Sequence, residues 1–163
     1  MEQAIPRGEA GFTYLAALFL VAILSILSLE AVQIWKTVEQ REREQQLLFI
    51  GEQYRHAIEV YYQSTPGSVK KYPEKLDDLL LDKRQTQTSR PLRQLFIDPI
   101  TNKNQWGAVM APTGGIMGIF SLSTDMPVKQ DGFVPAEATF KGAGQYQGWK
   151  FTYEPPVIKD VPK

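Results

Sequence analysis

Hydrophobic residues are distributed very unevenly along the chain. The longest apolar run extends from Ala10 to Leu29, twenty residues without a charge, and it is bounded by Glu9 and Glu30. In a helix, at ~1.5 Å per residue, such a run spans roughly 30 Å, the thickness of the hydrocarbon core of a bilayer. The pattern therefore predicts a helix that crosses a membrane once.

A cleaved secretory signal peptide is the main alternative for this N-terminal run. The residues before it are not basic, the run exceeds the usual ~7–15 apolar residues, and no small-residue cleavage site follows it. A buried core helix is disfavoured as well, because the run is apolar on every face. Flanking charges are balanced and do not indicate the orientation.

Beyond the apolar run the chain keeps a helical pattern. No proline occurs between Pro6 and Pro66, so we expect one helix to continue to about residue 63. Its stretch from Glu39 to Gln46 is polar on every side, and we expect this stretch to lie in solvent. An apolar stripe, spaced by three and four residues, follows and predicts burial against a folded domain. The stripe consists of Leu47, Ile50, Tyr54, Ile58 and Tyr61.

Helix breakers at residues 64–68 end this helix, and shorter elements follow. A second helix is predicted from Tyr72 to Leu81, because Pro73 suits a first helical turn. Its apolar face, which we expect to cover the stripe of the long helix, consists of Leu76, Leu79 and Leu80. The polar, basic segment from Lys83 to Leu95 predicts a loop.

The second half of the chain has the pattern of an antiparallel sheet. Strands are predicted from Trp106 to Ala111 and from Ile116 to Leu122, joined by a tight turn with two glycines. A third strand is predicted from Gly148 to Tyr153. The whole pattern predicts an α+β fold, in which a long N-terminal helix packs on a small antiparallel β-sheet. We assign residues 12–29 to the membrane half of the helix, 30–63 to its amphipathic half, 64–156 to the globular domain and 157–163 to a loose tail.

Composition excludes several functions. Lysine plus arginine and aspartate plus glutamate both total 18, so no net field attracts nucleic acid. The chain has no cysteine and one histidine, His56, which excludes thiolate catalysis and multi-histidine metal sites. We expect His56 to be a surface or partly packed residue.

Asp125 and Asp131 lie in a polar loop and are candidate Ca²⁺ ligands. The spacing of an EF-hand is absent, and a plain polar loop is the alternative.

The segment from Gly11 to Leu15, together with this order of elements, resembles type IV pilins and the pseudopilins of type II secretion. The resemblance implies that prepilin peptidase cleaves between Gly11 and Phe12, that residues 1–11 are a leader, and that Phe12 is N-methylated. Three downstream motifs resemble the major, G-type pseudopilins, and they are Tyr72-Pro73-x-x-Leu76-x-x-Leu79, Asp98-Pro99 and Trp106-Gly107. Proteins of that type bind Ca²⁺ in a C-terminal loop, and Asp125 falls near the matching place.

Two positions depart from the family pattern. The fifth residue of the mature chain is usually glutamate and is here Ala16, which favours a minor or atypical subunit. The segment from Met126 to Lys129 lacks the acidic, glycine-rich character of the Ca²⁺ loop. Both departures bear on assembly and metal binding rather than on fold.

The resemblance implies a structural role. We expect a single-pass protein of the bacterial inner membrane, with its C-terminal domain in the periplasm, that assembles into a type II secretion pseudopilus or a type IV pilus-related filament. Its partners would be other pilin or pseudopilin subunits, prepilin peptidase, the inner-membrane assembly platform and membrane lipid. The alternative is a membrane-anchored periplasmic binding protein that does not polymerise. An enzyme would need a reactive group of residues, and the sequence offers none.

Overall fold

The computed structural model describes residues 9–84 and 88–156, and within helix α1 it describes no side chains at residues 9–11 and 26–34. Residues 1–8 of the predicted leader and the predicted tail at residues 157–163 therefore lie outside the described residues, as do the side chains at the end of the predicted membrane segment. Helix α1 extends from Glu9 to Gln63, and the three strands are β1, Gly107–Met110, β2, Ile116–Phe120, and β3, Phe151–Thr152. Short 3-10 helices occur at Leu76–Leu79, Pro135–Phe140 and Tyr146–Gly148. The predicted α+β class is confirmed.

The chain divides into two compact units, Met1–Glu39 and Gln40–Lys163. The described part of the first unit is helix, and its described apolar side chains are exposed on the single chain: Phe12 is 76% exposed and Phe19 is 64% exposed. Across the part of the chain that the structure describes, no helix contains a stretch long and apolar enough to cross a bilayer.

The second unit has a three-stranded antiparallel sheet in the order β1-β2-β3. Gly107 pairs with Phe120 across the hairpin, and Ile119 pairs with Phe151 on the other side. The hairpin turn contains Gly114 and Gly115 at φ of 88° and 84°, where a side chain would be strained. The predicted hairpin is confirmed.

The third strand is shorter than the pattern predicted. The predicted strand began at Gly148, whereas Tyr146–Gly148 forms a 3-10 turn and β3 is Phe151–Thr152. Trp149 lies between the turn and β3 and is fully buried, so tertiary packing determines the backbone there. Antiparallel pairing continues beyond β3 through the N–H of Tyr153, which donates to the carbonyl of Met117 at 2.9 Å.

The predicted second helix, Tyr72 to Leu81, is wrong in extent, since only Leu76–Leu79 forms one 3-10 turn. The carbonyl of Pro73 accepts a hydrogen bond from the N–H of Ile116 at 2.7 Å, which ties the start of this segment to β2. The following loop, predicted from Lys83 to Leu95, contains no helix or strand among its described residues.

The core of the second unit forms between helix α1 and the sheet. Leu47, Tyr54, Ile58 and Tyr61 are buried as predicted, whereas Ile50 is only half-buried. Gly51 and Ala57 are buried as well, and the ring of Phe151 lies where a Cβ of residue 51 would be. Glycine at this position therefore allows β3 to approach the helix closely.

The C-terminal end of helix α1 is held by an arginine from the following loop. Arg84 donates to the carbonyl of Tyr61 at 2.7 Å and its guanidinium lies 3.5 Å from the centre of the Tyr61 ring. It also binds both carboxylate oxygens of Asp82, at 2.8 and 2.7 Å. Cations at a helix C-terminus complement its unpaired carbonyl groups.

This ion pair makes the stability of the fold sensitive to acid. Hydrogen bonds from Arg84 hold the pKa of the Asp82 carboxyl below its ordinary value of 3.8. A lowered folded-state pKa stabilises the protein above the unfolded-state pKa, and this stabilisation is lost as the pH falls through the folded-state pKa. We therefore expect Asp82→Asn to cost about 2 kcal/mol at pH 7 and to flatten the decline in stability below pH 4. Urea unfolding between pH 7 and 3 measures the free energy of unfolding of each variant. Asp77→Asn, at an exposed position, is the control. Equal acid sensitivity of the wild type and Asp82→Asn would contradict the prediction.

Candidate functional site

The polar stretch of helix α1, predicted to lie wholly in solvent, contains a buried carboxylate. Glu44 is only 2% exposed, so the prediction is wrong at this residue. Its carboxylate accepts hydrogen bonds from the backbone N–H groups of Val128 and Lys129 and, at 2.9 Å, from the hydroxyl of Tyr146. A carboxylate with several donors can be buried, because these donors replace its lost hydration.

Gln40, one helical turn before Glu44, binds the same region. Its side-chain amide donates to the carbonyl of Met126 at 3.0 Å and to the hydroxyl of Tyr146 at 2.9 Å. Burial raises the pKa of the Tyr146 hydroxyl, and its hydrogen bond to Glu44 raises it further, so this group stays a neutral donor. Two helix side chains and one tyrosine therefore hold the segment at residues 121–131, which we call the clamped loop.

The start of the clamped loop is attached to a second buried carboxylate. The hydroxyl of Ser121 donates to Asp98 at 2.7 Å, and the N–H of Ser123 donates to the hydroxyl of Ser121 at 3.2 Å. Asp98 is fully buried and also accepts from the N–H of Ile100 and the hydroxyl of Thr101, at 2.9 and 2.8 Å. The loop is thus held at one end by Asp98 and further along by Glu44.

The two predicted Ca²⁺ ligands both lie in the clamped loop, but each has a different partner. Asp125 accepts a hydrogen bond from Ser123 at 3.0 Å. Asp131 accepts one from the ammonium of Lys141 at 2.8 Å, which holds the pKa of the Asp131 carboxyl below its ordinary value. Over residues 9–84 and 88–156, no three carboxylate or imidazole side chains group as metal ligands.

Three backbone carbonyls of the clamped loop accept hydrogen bonds within the protein. Ca²⁺ takes about 6–8 oxygen ligands. The carbonyls of Asp125, Met126 and Pro127 already accept hydrogen bonds from Tyr146, Gln40 and Gln130, at 3.2, 3.0 and 2.7 Å. These carbonyl oxygens therefore take part in holding the loop, and Lys141 places a cation beside Asp131. Ca²⁺ binding at Asp125 and Asp131 stays a prediction.

The predicted processing site lies in the first unit. Gly11 and Phe12 are both helical, and the Phe12 side chain is exposed. Ala16, the position at which the family has glutamate, is exposed as well. In the second unit, the side chain of His56 is 67% exposed and its Nδ1 lies 3.5 Å from the carboxylate of Glu59, as predicted for a surface residue.

The spacing of residues along helix α1 indicates which of its side chains hold the clamped loop, although these side chains are not hydrophobic. Buried or clamping positions of helix α1 recur at 40, 44, 47, 51, 54, 58 and 61, with alternating spacings of four and three residues. Gln40, Glu44 and Gly51 share this face but are not hydrophobic, so a search for apolar residues misses them. Spacing alone would have placed Glu44 beneath the folded domain.

Comparisons of the chain with protein-family models, with curated proteins and with solved structures found no match.

Proposed function

We propose that this chain is a pilin-like structural subunit of the bacterial inner membrane, which prepilin peptidase processes between Gly11 and Phe12. It would assemble into a type II secretion pseudopilus or a type IV pilus-related filament. The observation that carries the proposal is the position of the Gly11-Phe12 signal at the start of a 55-residue helix. The same helix contributes its other end to the core of a small α+β unit, the arrangement that the resemblance implies.

The proposed mechanism is packing rather than chemistry. The exposed apolar side chains of the first unit would hold the subunit in lipid and then contact neighbouring subunits in the filament core. Transfer from lipid to a protein core removes little apolar surface from water, so van der Waals packing and the assembly machine would have to drive the step. Ala16 puts no carboxylate into the hydrocarbon, and it favours a minor rather than a major subunit.

A membrane-anchored periplasmic binding protein that does not polymerise is the second candidate. Ala16 favours it, because the glutamate implicated in pairing with the N-terminus of a neighbouring subunit is missing. The Gly11-Phe12 signal opposes it, since an anchor that stays monomeric has no need of prepilin peptidase.

Processing is the decisive test. We expect the intact mass of the protein from host membranes to correspond to a chain that begins at Phe12, with or without one methyl group, and only when prepilin peptidase is present. Gly11→Val should abolish the shortened form, because a branched side chain replaces the glycine at the cleaved bond. Gly8→Ala, within the leader, is the matched control and should be processed normally. A full-length chain in both host strains would overturn the proposal and favour the non-polymerising anchor.

A further inference from the structure

Two grooves lie side by side along helix α1 in the second unit. The first, which we call the basic groove, has a volume of about 260 Å³. It is lined by Arg41, Glu44, Gln45, Leu48, Val128 and Lys129. The second groove is adjacent on the same helix. The exposed ring of Phe49 lines it together with Glu42, Gln45 and Phe96. Glu42 and Phe49 are both exposed, and we call the surface formed by these two side chains the acidic ridge.

The two surfaces carry opposite, unpaired charges. Arg41 and Glu42 are exposed, and neither side chain makes an ion pair or hydrogen bond with the residues that the structure describes. The carboxylate of Glu44 faces the backbone N–H groups of the clamped loop and the Tyr146 hydroxyl, so its charge is already compensated. The ammonium of Lys129 lies 4.9 Å from the centre of the Phe133 ring, so the positive charge that the first groove offers to a partner is mainly that of Arg41.

The two surfaces also match in their apolar parts. Phe49 is 63% exposed, and exposing an apolar ring of this size to water is unfavourable. The wall of the basic groove offers Leu48 and Val128, both half-buried. An apolar cavity of about 150 Å³ holds a benzene molecule, so the basic groove has room for a phenyl ring.

The spacing of charge and apolar groups is the same on both surfaces. Glu42 and Phe49 are seven residues apart, as are Arg41 and Leu48, which is roughly 10 Å along a helix. Two parallel helices at a small axial offset therefore bring Glu42 to Arg41 and Phe49 to Leu48. An antiparallel pair would place each charged residue against an apolar one.

We infer that the acidic ridge of one copy of this chain docks in the basic groove of a second, parallel copy. The ridge and the groove are different surfaces, so the contact is heterologous and leaves a free ridge and a free groove at its two ends. Such a contact repeats along a row of subunits instead of closing into a dimer. The inference rests on the proposed function, because it names the contact between neighbouring subunits.

Cysteine crosslinking in membranes tests the contact directly, since the natural chain has no cysteine. Full-length Phe49→Cys and Val128→Cys variants, each with a different tag, are produced together and treated with a mild oxidant. We expect a covalent heterodimer from this pair. The control pair is Val69→Cys with Val128→Cys, because Val69 is 70% exposed but belongs to neither surface. No more heterodimer from the test pair than from the control pair would overturn the inference, as would a dominant Phe49–Phe49 crosslink.

A charge exchange tests the complementarity. Glu42→Arg in the Phe49→Cys copy should reduce the heterodimer about two- to fivefold, the range expected for an exposed ion pair. Arg41→Glu in the Val128→Cys copy should restore it. Both residues are exposed, so the substitutions leave the core intact. Unchanged crosslinking in the single reversal, or failure of the double reversal to restore it, would contradict the assigned pairing.

Intact masses of the same samples separate this inference from the proposed function. Processed chains without the heterodimer overturn the contact and leave the proposed function in place. The heterodimer without processing supports the contact and overturns the proposed pathway. Absence of both overturns both.

Discussion

Replacing Glu44 with alanine is expected to lower the free energy of unfolding by about 3 kcal/mol. The substitution leaves the N–H groups of Val128 and Lys129 and the hydroxyl of Tyr146 without their acceptor at a site that is shielded from water. Each unsatisfied buried donor costs about 1–3 kcal/mol, and partial entry of water offsets some of that. We also expect faster proteolysis within the clamped loop.

The measurement is urea unfolding of the full chain in detergent, followed by circular dichroism, together with limited proteolysis. Glu42→Ala is the matched control, since this glutamate is exposed on the same helix and should change stability by less than about 0.5 kcal/mol. Glu44→Gln should fall between the two, because its amide oxygen still accepts from the backbone. Tyr146→Phe combined with Glu44→Ala should cost less than the sum of the single changes, as expected for residues in contact. Equal losses of unfolding free energy in Glu42→Ala and Glu44→Ala would show that Glu44 does not stabilise the clamped loop.

The second large effect is expected at Trp149, where alanine should cost about 3–5 kcal/mol. The indole is fully buried among three aromatic rings: it is stacked on Phe140 at 5.6 Å, and Phe133 and Tyr146 meet it edge to face, each at 5.4 Å. Truncation removes the centre of this cluster and leaves a cavity that the rigid rings cannot fill. The position of β3 against helix α1 depends on the same packing, because Phe151 contacts Phe140 at 5.0 Å.

Two further variants identify the cause of this loss. The indole N–H of Trp149 has no hydrogen-bond partner among the described residues, so Trp149→Phe sacrifices volume but no hydrogen bond. We expect it to cost roughly half as much as alanine. Trp35→Ala is the control for loss of an indole, since Trp35 is 71% exposed. The same unfolding measurement applies, and a Trp35→Ala effect as large as that of Trp149→Ala would show that the buried cluster is not responsible.

The predicted processing site and the predicted Ca²⁺ ligands depend on different levels of structure. The Gly11-Phe12 signal is a local pattern, readable without a fold, and its function remains a proposal. The calcium candidates depended on where side chains point, and this is a tertiary property. Asp125 and Asp131 are six residues apart in one loop, yet the structure gives one a serine and the other a lysine as partner. A loop that uses its carbonyls internally cannot be distinguished by composition from one that offers them to an ion.

Elements whose causes are local could be predicted from the amino-acid pattern. The length of helix α1 followed from the absence of proline and from the breakers after Gln63, and the hairpin followed from alternation around two glycines. Only the tertiary structure decided the elements that depend on distant partners. The predicted second helix is reduced to Leu76–Leu79 because Ile116 binds the carbonyl of Pro73 and ties the preceding residues to β2, and the third strand begins late because Trp149 is drawn into an aromatic cluster. Glu44 is buried because donors from the clamped loop, more than eighty residues away, replace its water. Local patterns encode backbone preference, whereas burial of a polar group depends on partners that come together only on folding.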